Sequence, residues 1–172
     1  DGRVRRILDT GTSIGQFATS MKRRYPDAEV WGIDVGGPMV RYAHMKAVDM
    51  GVDVNFAQRL SEDSGFSDNY FDIVTSNLLF HEVTKQATSD IIQETYRVLR
   101  PGGVFSPTDA NDALTTAHAK FTFWYNYRWN HEDWFLDWMQ VDFPGEMRKA
   151  GFKVIEVATQ RGLVPRYVGI KT

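Results

Sequence analysis

The stretch Ile7 Leu8 Asp9 Thr10 Gly11 Thr12 Ser13 Ile14 Gly15 leaves this chain few folds to choose from. Val4, Ile7 and Leu8 form an apolar strand that runs into an acid and a loop of small residues. Past the loop, Phe17, Ala18, Met21 and Lys22 take up helical spacing. The pattern is strand, tight turn, helix. Gly11 and Gly15 permit positive φ and let a ligand approach the main chain, beside the free N–H groups of the new helix. A second apolar strand, Glu29 Val30 Trp31 Gly32 Ile33, then ends in Asp34. An acid about 20 residues beyond a glycine turn, at the tip of the neighbouring strand, is placed to accept hydrogen bonds from both hydroxyls of a ribose. The two strand tips together describe a nucleoside pocket.

The glycine spacing narrows the nucleoside. A dinucleotide fingerprint, G-x-G-x-x-G, needs small residues at 11, 13 and 16, and position 16 is Gln. A nicotinamide-dependent oxidoreductase is therefore disfavoured. The turn reads D-x-G-x-S-x-G instead. In this it resembles the class I S-adenosylmethionine-dependent methyltransferases, whose first motif is an acid followed by G-x-G-x-G and whose second strand ends in a ribose-binding acid. Asn69 Tyr70 Phe71 Asp72 Ile73 Val74 Thr75 Ser76 is similar to that family's fourth strand. Tyr96 Arg97 Val98 Leu99 Arg100 Pro101 Gly102 Gly103 is similar to its turn into the fifth. The likeness is to bacterial small-molecule enzymes related to the ubiquinone and menaquinone methyltransferases, and it covers residues 3 to about 108. It implies S-adenosylmethionine as cofactor, S-adenosylhomocysteine as product, and direct displacement at the sulfonium methyl. The acceptor it implies is a small aromatic or quinone-like molecule.

Strands and helices alternate: strand 3–9, helix 15–24, strand 28–33, helix 37–50, strand 52–57, strand 71–75, helix 84–99 and strand 103–107. That order predicts an α/β fold, a doubly wound parallel sheet with helices on both faces and right-handed crossovers. Residues 110–150 read as mostly helical, interrupted near Asn130, with Pro144 opening a last helix that stops at Gly151. Segments 152–157 and 164–170 read as an antiparallel closing pair at the sheet edge. Seven strands in a Rossmann-like sheet is the architecture the resemblance implies.

At 172 residues, with no Pro/Gly/Ser-rich linker, one domain covering 1–172 is expected. The net charge of −2 and the lack of a basic stripe leave no nucleic-acid footprint. There is no cysteine, which excludes disulfides, thiolate metal sites and a cysteine nucleophile. His44, His81, His118 and His131 show no paired ligand spacing, so no metal is implied. No apolar stretch is long enough to span a bilayer, and a cytoplasmic protein is expected. The first residue is Asp and the first strand begins almost at once, so a capping segment that relatives carry ahead of it is expected to be missing.

The resemblance assigns cofactor contacts to Asp9, Gly11, Thr12, Ser13, Gly15, Asp34, Val35, Met39, Leu60, Ser61, Asn77 and Leu78. Asp9 reaches the amino group of the cofactor's methionine part, only ties the turn together, or does both. Ser13 replaces the family's middle glycine; its side chain crowds the ligand's approach unless the backbone keeps negative φ and the hydroxyl donates. Asp34 is read as the ribose acid, with a helix N-cap as the alternative. Val35 and Met39 flank adenine or ribose, or are plain core. Leu60 stands where the family places an acid that accepts from the adenine amino group. That loss is worth about 1.5–3 kcal/mol, roughly ten- to a hundredfold in affinity. The N–H of Ser61 remains available, and Glu62 or Asp63 can substitute if the loop shifts.

His81 falls just past the fourth strand, where the carboxyl ends of parallel strands line a ligand crevice, and is a candidate proton acceptor near the transferred methyl. Alternatively it caps the next helix or contacts Glu82. Ten aromatic residues lie between Phe121 and Phe143. Trp124, Tyr125 and Arg128 are candidates for an acceptor pocket; a helix packed on the sheet or a homodimer interface explains the same pattern. Besides the methyltransferase, a protein of the same fold that binds the nucleoside without turnover remains open.

Overall fold

Ile7 and Leu8 point to opposite faces of the first strand, and both are buried. A strand buried on both sides needs a layer above and a layer below. The computed structural model describes residues 3–109, 117–157 and 166–172. Among these, seven strands form one sheet: β1 (Arg6–Thr10), β2 (Glu29–Asp34), β3 (Asn55–Gln58), β4 (Phe71–Asn77), β5 (Leu99–Thr108), β6 (Phe152–Val157) and β7 (Arg166–Lys171). Their order is β3-β2-β1-β4-β5-β7-β6, and β1 to β5 pair in parallel. The chain order reverses between β1 and β4, so the crevice outside the carboxyl ends of those two strands is the switch point of the fold.

The helices are α1 (Gln16–Arg24), α2 (Gly37–Asp49), α3 (Lys85–Val98), α4 (Ala117–Trp129), α5 (Phe135–Trp138) and α6 (Phe143–Lys149). Ala18 of α1 packs on the Ile7 face with Ala28, Val30 and Val54. Ile91, Ile92 and Val98 of α3 and Met147 of α6 pack on the Leu8 face with Phe71, Val74 and Phe105. Burying an aliphatic or aromatic side chain of this size stabilises the fold by roughly 1.5–3 kcal/mol. The α/β sheet read from the sequence is the one observed.

Three differences from the sequence reading bear on the sheet. The third strand begins at Asn55 rather than 52, because Val52 is tied by its N–H to Ala47 O at the end of α2. The helix expected to reach 99 stops at Val98, and β5 starts there: Leu99 pairs with Phe71 and Val104 with Ile73, so the Arg-Pro-Gly-Gly turn is a bulge inside a strand. The closing strands do pair antiparallel, but β7 also joins β5, which leaves β6 at the edge, with Lys153, Ile155, Glu156 and Val157 exposed. Residues 110–116, and the start of the strand expected from 164, lie outside the described residues.

Candidate functional site

Strand register sets the tips of β1 to β5 side by side. Thr10 pairs with Ile33 and Ser76, Asp34 with Gln58, and Asn77 with Thr108. Beneath the glycine turn lies Asp9, 1% exposed. Its carboxylate accepts from Thr12 Oγ1 at 2.6 Å, from Thr75 Oγ1 at 3.0 Å and from the backbone of Ala18 in the first turn of α1. The residue at the helix N-cap, Gly15, has no side chain to do this, so Asp9 caps α1 from the neighbouring strand. Burial pushes Asp9 up to about 6 against the pull of those hydrogen bonds, and Asp34 adds repulsion. These contacts tie the turn together, one of the roles read from the sequence.

Above Asp9 the turn has φ of 67° at Gly11, 49° at Ser13 and 74° at Gly15. A Cβ on Gly11 would come within 2.9 Å of Leu79 Cδ1, and one on Gly15 within 2.7 Å of Phe56 Cζ. Ser13 does not keep negative φ. The left-handed conformation costs an L-residue roughly 1–2 kcal/mol, offset here by the Ser13 N–H donating to Asp34 Oδ2 at 2.8 Å. Thr12 is buried, its N–H donating to Ile33 O.

Asp34 is not the N-cap of α2. That position is Gly36, whose N–H donates to Asp34 Oδ1 at 2.8 Å. An ionised carboxylate offers about four acceptor positions. The Ser13 and Gly36 N–H groups fill one on each oxygen, which leaves one on each for a vicinal diol. The carboxylate borders a cleft shared with Gly11, Val35, Leu60, Ser61, Glu62, Leu79 and Val83. Val35 is 65% and Leu60 52% exposed, and Met39, packed near Gly36, is 47%. Such apolar side chains beside a carboxylate suit the faces of a flat heterocycle. The cleft holds about 110 Å3, below the roughly 300–1,000 Å3 of a site that encloses its ligand, so it is an open groove.

Ser61 accepts from Thr10 Oγ1 at 2.7 Å, which holds the 59–63 loop against β1. Glu62 lines the cleft, whereas Asp63 is exposed and does not. Asn77 is exposed at the end of β4, and Leu78, at φ 59° and 53% exposed, donates its N–H to Thr108 O. Ser76 Oγ beside them is buried and has no hydrogen-bond partner among the described residues. An orphan hydroxyl at a switch point is a group a ligand can satisfy.

His81 lies in a short 3-10 turn (Phe80–Glu82) and is 8% exposed. It does not cap α3; Thr84 does, accepting from the Ala87 N–H at 3.1 Å. Its Nδ1 is 2.6 Å from Asp109 Oδ1, while Nε2 is 3.6 Å from Glu82 Oε1, beyond hydrogen-bond reach. Burial pulls the imidazole down, but the hydrogen bond and charge of Asp109, with Glu82 and Glu132, outweigh it and hold His81 above its ordinary value. Asp109 was not read from the sequence. The signal was present: it is the first residue after the fifth strand, on the same edge as Asp34.

The aromatic segment splits in two. Phe135, Trp138 and Phe143 are buried, with Trp138 stacked on Phe80 and Phe143 edge-on to it. Trp124 and Tyr125 on α4 are 51% and 46% exposed, and the Arg128 guanidinium lies over the Trp129 ring. Phe121 packs against both Trp124 and Tyr125. The structure thus leaves Trp124, Tyr125 and Arg128 on an outward helix rather than in the walls of the cleft. Rings occur all round α4, so no single face of it can bury them.

A model of the methyltransferase domain matches residues 7–103. The chain belongs to that family. It is 38% identical over 99 residues to a demethylmenaquinone methyltransferase of Thermus thermophilus, a match covering 58% of this chain and 44% of the relative. It is 31% identical over 189 residues to a ubiquinone/menaquinone biosynthesis C-methyltransferase of Stutzerimonas stutzeri, covering 96% and 72%. The first of these matches thus spans less than half of the relative's length. Among solved structures, phosphoethanolamine N-methyltransferase 2 of Haemonchus contortus superposes with a TM-score of 0.71 at 21% identity, over 90% of this chain and 35% of that one, which shows the shared fold.

Proposed function

We propose that this chain binds S-adenosylmethionine and supports transfer of its methyl group to a small aromatic or quinone-like acceptor. One observation carries the reading: Asp34 stands at the tip of β2, beside the switch point, with one acceptor position open on each carboxylate oxygen, next to exposed Val35 and Leu60. Ribose hydroxyls would fill those positions, and the apolar pair would cover adenine. Gly11, Ser13 and Gly15 form the turn along which the amino-acid part would lie, above the buried Asp9. The names of the relatives, demethylmenaquinone methyltransferase among them, support the acceptor class.

When bound, the cofactor supplies an electrophilic methyl on a sulfonium. The chain's task is to hold the acceptor in line with it and keep water out, and positioning of that kind lowers a barrier by roughly 7–11 kcal/mol.

Asp34→Ala should weaken S-adenosylhomocysteine at least tenfold by calorimetry, since a hydrogen bond to a charged group is worth about 1.5–3 kcal/mol. An unchanged dissociation constant in a folded variant overturns the reading. Labelled methyl donor with a panel of phenols, quinols and amines then separates turnover from binding alone.

A further inference from the structure

We infer that the outer face of α2 is an interface between two copies of this chain, whose α2 helices pack antiparallel about a two-fold axis at Met45. The surface lies apart from Asp34 and its cleft, and the inference stands or falls without the proposed function.

Exposed apolar side chains scattered singly need no explanation, but a row of them does. The outer faces of α1 and α3 carry no large exposed hydrophobic residue, whereas α2 carries one at every third position: Met39, Tyr42, Met45 and Val48, 46% to 62% exposed. Packing on the sheet does not use them, because Val40, Ala43 and Ala47 already form the buried side of the helix. A second ridge crosses the first at Met45. It runs Arg41, Met45, Asp49 at i, i+4 and i+8, the row that interdigitates in the commonest class of helix packing. Arg41 and Asp49 are exposed, and neither has an ion-pair partner among the described residues.

Read outward in both directions from Met45, the helix is its own complement. Arg41 corresponds to Asp49, Tyr42 to Val48 and Ala43 to Ala47. In an antiparallel pair related by a two-fold axis, each residue lies level with its counterpart in the other copy. The two Met45 side chains then meet on the axis, Tyr42 and Val48 flank them, and an Arg41–Asp49 pair closes each end, about 6 Å along the helix from the axis. His44 and Lys46 stand roughly 100° to either side of Met45 and point out of the contact. That symmetry selects the occupant: an isologous contact requires a face that complements itself, and a partner of another sequence does not. Methionine, tyrosine and arginine are also residues that interfaces favour. The other helix with exposed rings, α4, lacks the match. It carries Lys120 and Arg128 but no acid, so self-pairing about Trp124 would set like charges together. One helix from each copy is a smaller contact than the roughly 800 Å2 per partner of a standard interface, so the dimer should come apart on dilution.

Sedimentation velocity over a concentration series should show a monomer–dimer equilibrium for the wild-type chain. Met45→Glu sets two carboxylates against each other on the axis, and Arg41→Asp sets acid against acid at both ends; each should weaken dimerisation roughly tenfold or more. Arg41→Asp with Asp49→Arg reverses both charges and restores the match, so its dissociation constant should return to within about threefold of wild type. Because the chain has no cysteine, Met45→Cys supplies a single thiol on the axis, and mild oxidation should join two copies through it. Ser20→Cys, exposed on α1, should cross-link far more slowly under the same conditions. The substituted side chains are all exposed, so melting midpoints should stay near wild type, and the thiol pair carries the test if a charge variant does not fold. A chain that is monomeric at every concentration, a dimer that Met45→Glu leaves intact, a double reversal that does not recover, or equal cross-linking at 20 and 45 overturns the inference.

Discussion

Asp9 is an acid held where water does not reach, and its ionisation works against the fold. Its folded value of about 6 lies above the ordinary 3.8, so the folded chain binds the proton more tightly than the unfolded one. Stability from Asp9 is therefore fully present below about 3.8 and is lost as pH rises through about 6. The difference corresponds to about 3 kcal/mol. His81, also raised, has the same sign: its contribution is present below the ordinary histidine value and lost as pH climbs through the folded one. Asp72 and Glu94 are lowered, so what they contribute is lost only in acid below the usual carboxylate range. Thermal melting should thus give a midpoint several degrees higher at about pH 5 than at about pH 8. Asp9→Asn should flatten the lower half of that slope. A midpoint that rises steadily from acid to base would refute the assignment.

At the scale of elements, Asp72 holds together three segments distant in sequence. Oδ2 accepts from the N–H groups of Arg5 and Arg6 at 2.7 and 2.8 Å, and Oδ1 pairs with the Arg100 guanidinium on the β5 bulge. Removing it strands two strand-initiating N–H groups and a cation, so Asp72→Ala should cost about 3 kcal/mol in denaturant unfolding. A loss below about 1 kcal/mol would mean that water replaces the carboxylate at no cost. This residue also shows what was legible in the sequence and what was not. The fourth strand was readable from its apolar run, and Asp34 from its place at the end of the second, because both signals are local. That Asp72 bridges to β1, that Asp109 meets His81, and that β7 inserts between β5 and β6 depend on pairs 28 to 67 residues or more apart, which no local period encodes. Trp124 and Trp138 carry the same composition signal, yet one is exposed and the other buried. Only packing decides between them.

Across the whole molecule, the cleft and the closing strands lie at different ends of the sheet. The tips of β1 to β4 and the loops after them form the cleft, whereas β6, β7 and α6 close the far end around Met147 and Phe152. A nucleoside that seats on Asp34 should therefore slow amide exchange in a defined footprint: the 9–15 turn, the 33–37 tip, the 58–62 loop and the 77–79 segment. It stabilises the folded state in proportion to the logarithm of its concentration over its dissociation constant, so the melting midpoint should climb as S-adenosylhomocysteine is raised. The exposed rings of Phe121, Trp124 and Tyr125 leave α4 with little burial to hold it, so its amides should exchange among the fastest of the helices with or without ligand. Hydrogen exchange followed by mass spectrometry reads all of this at once. Protection centred on β6 and β7, or spread evenly over the sheet, would move the binding site away from the switch point between β1 and β4.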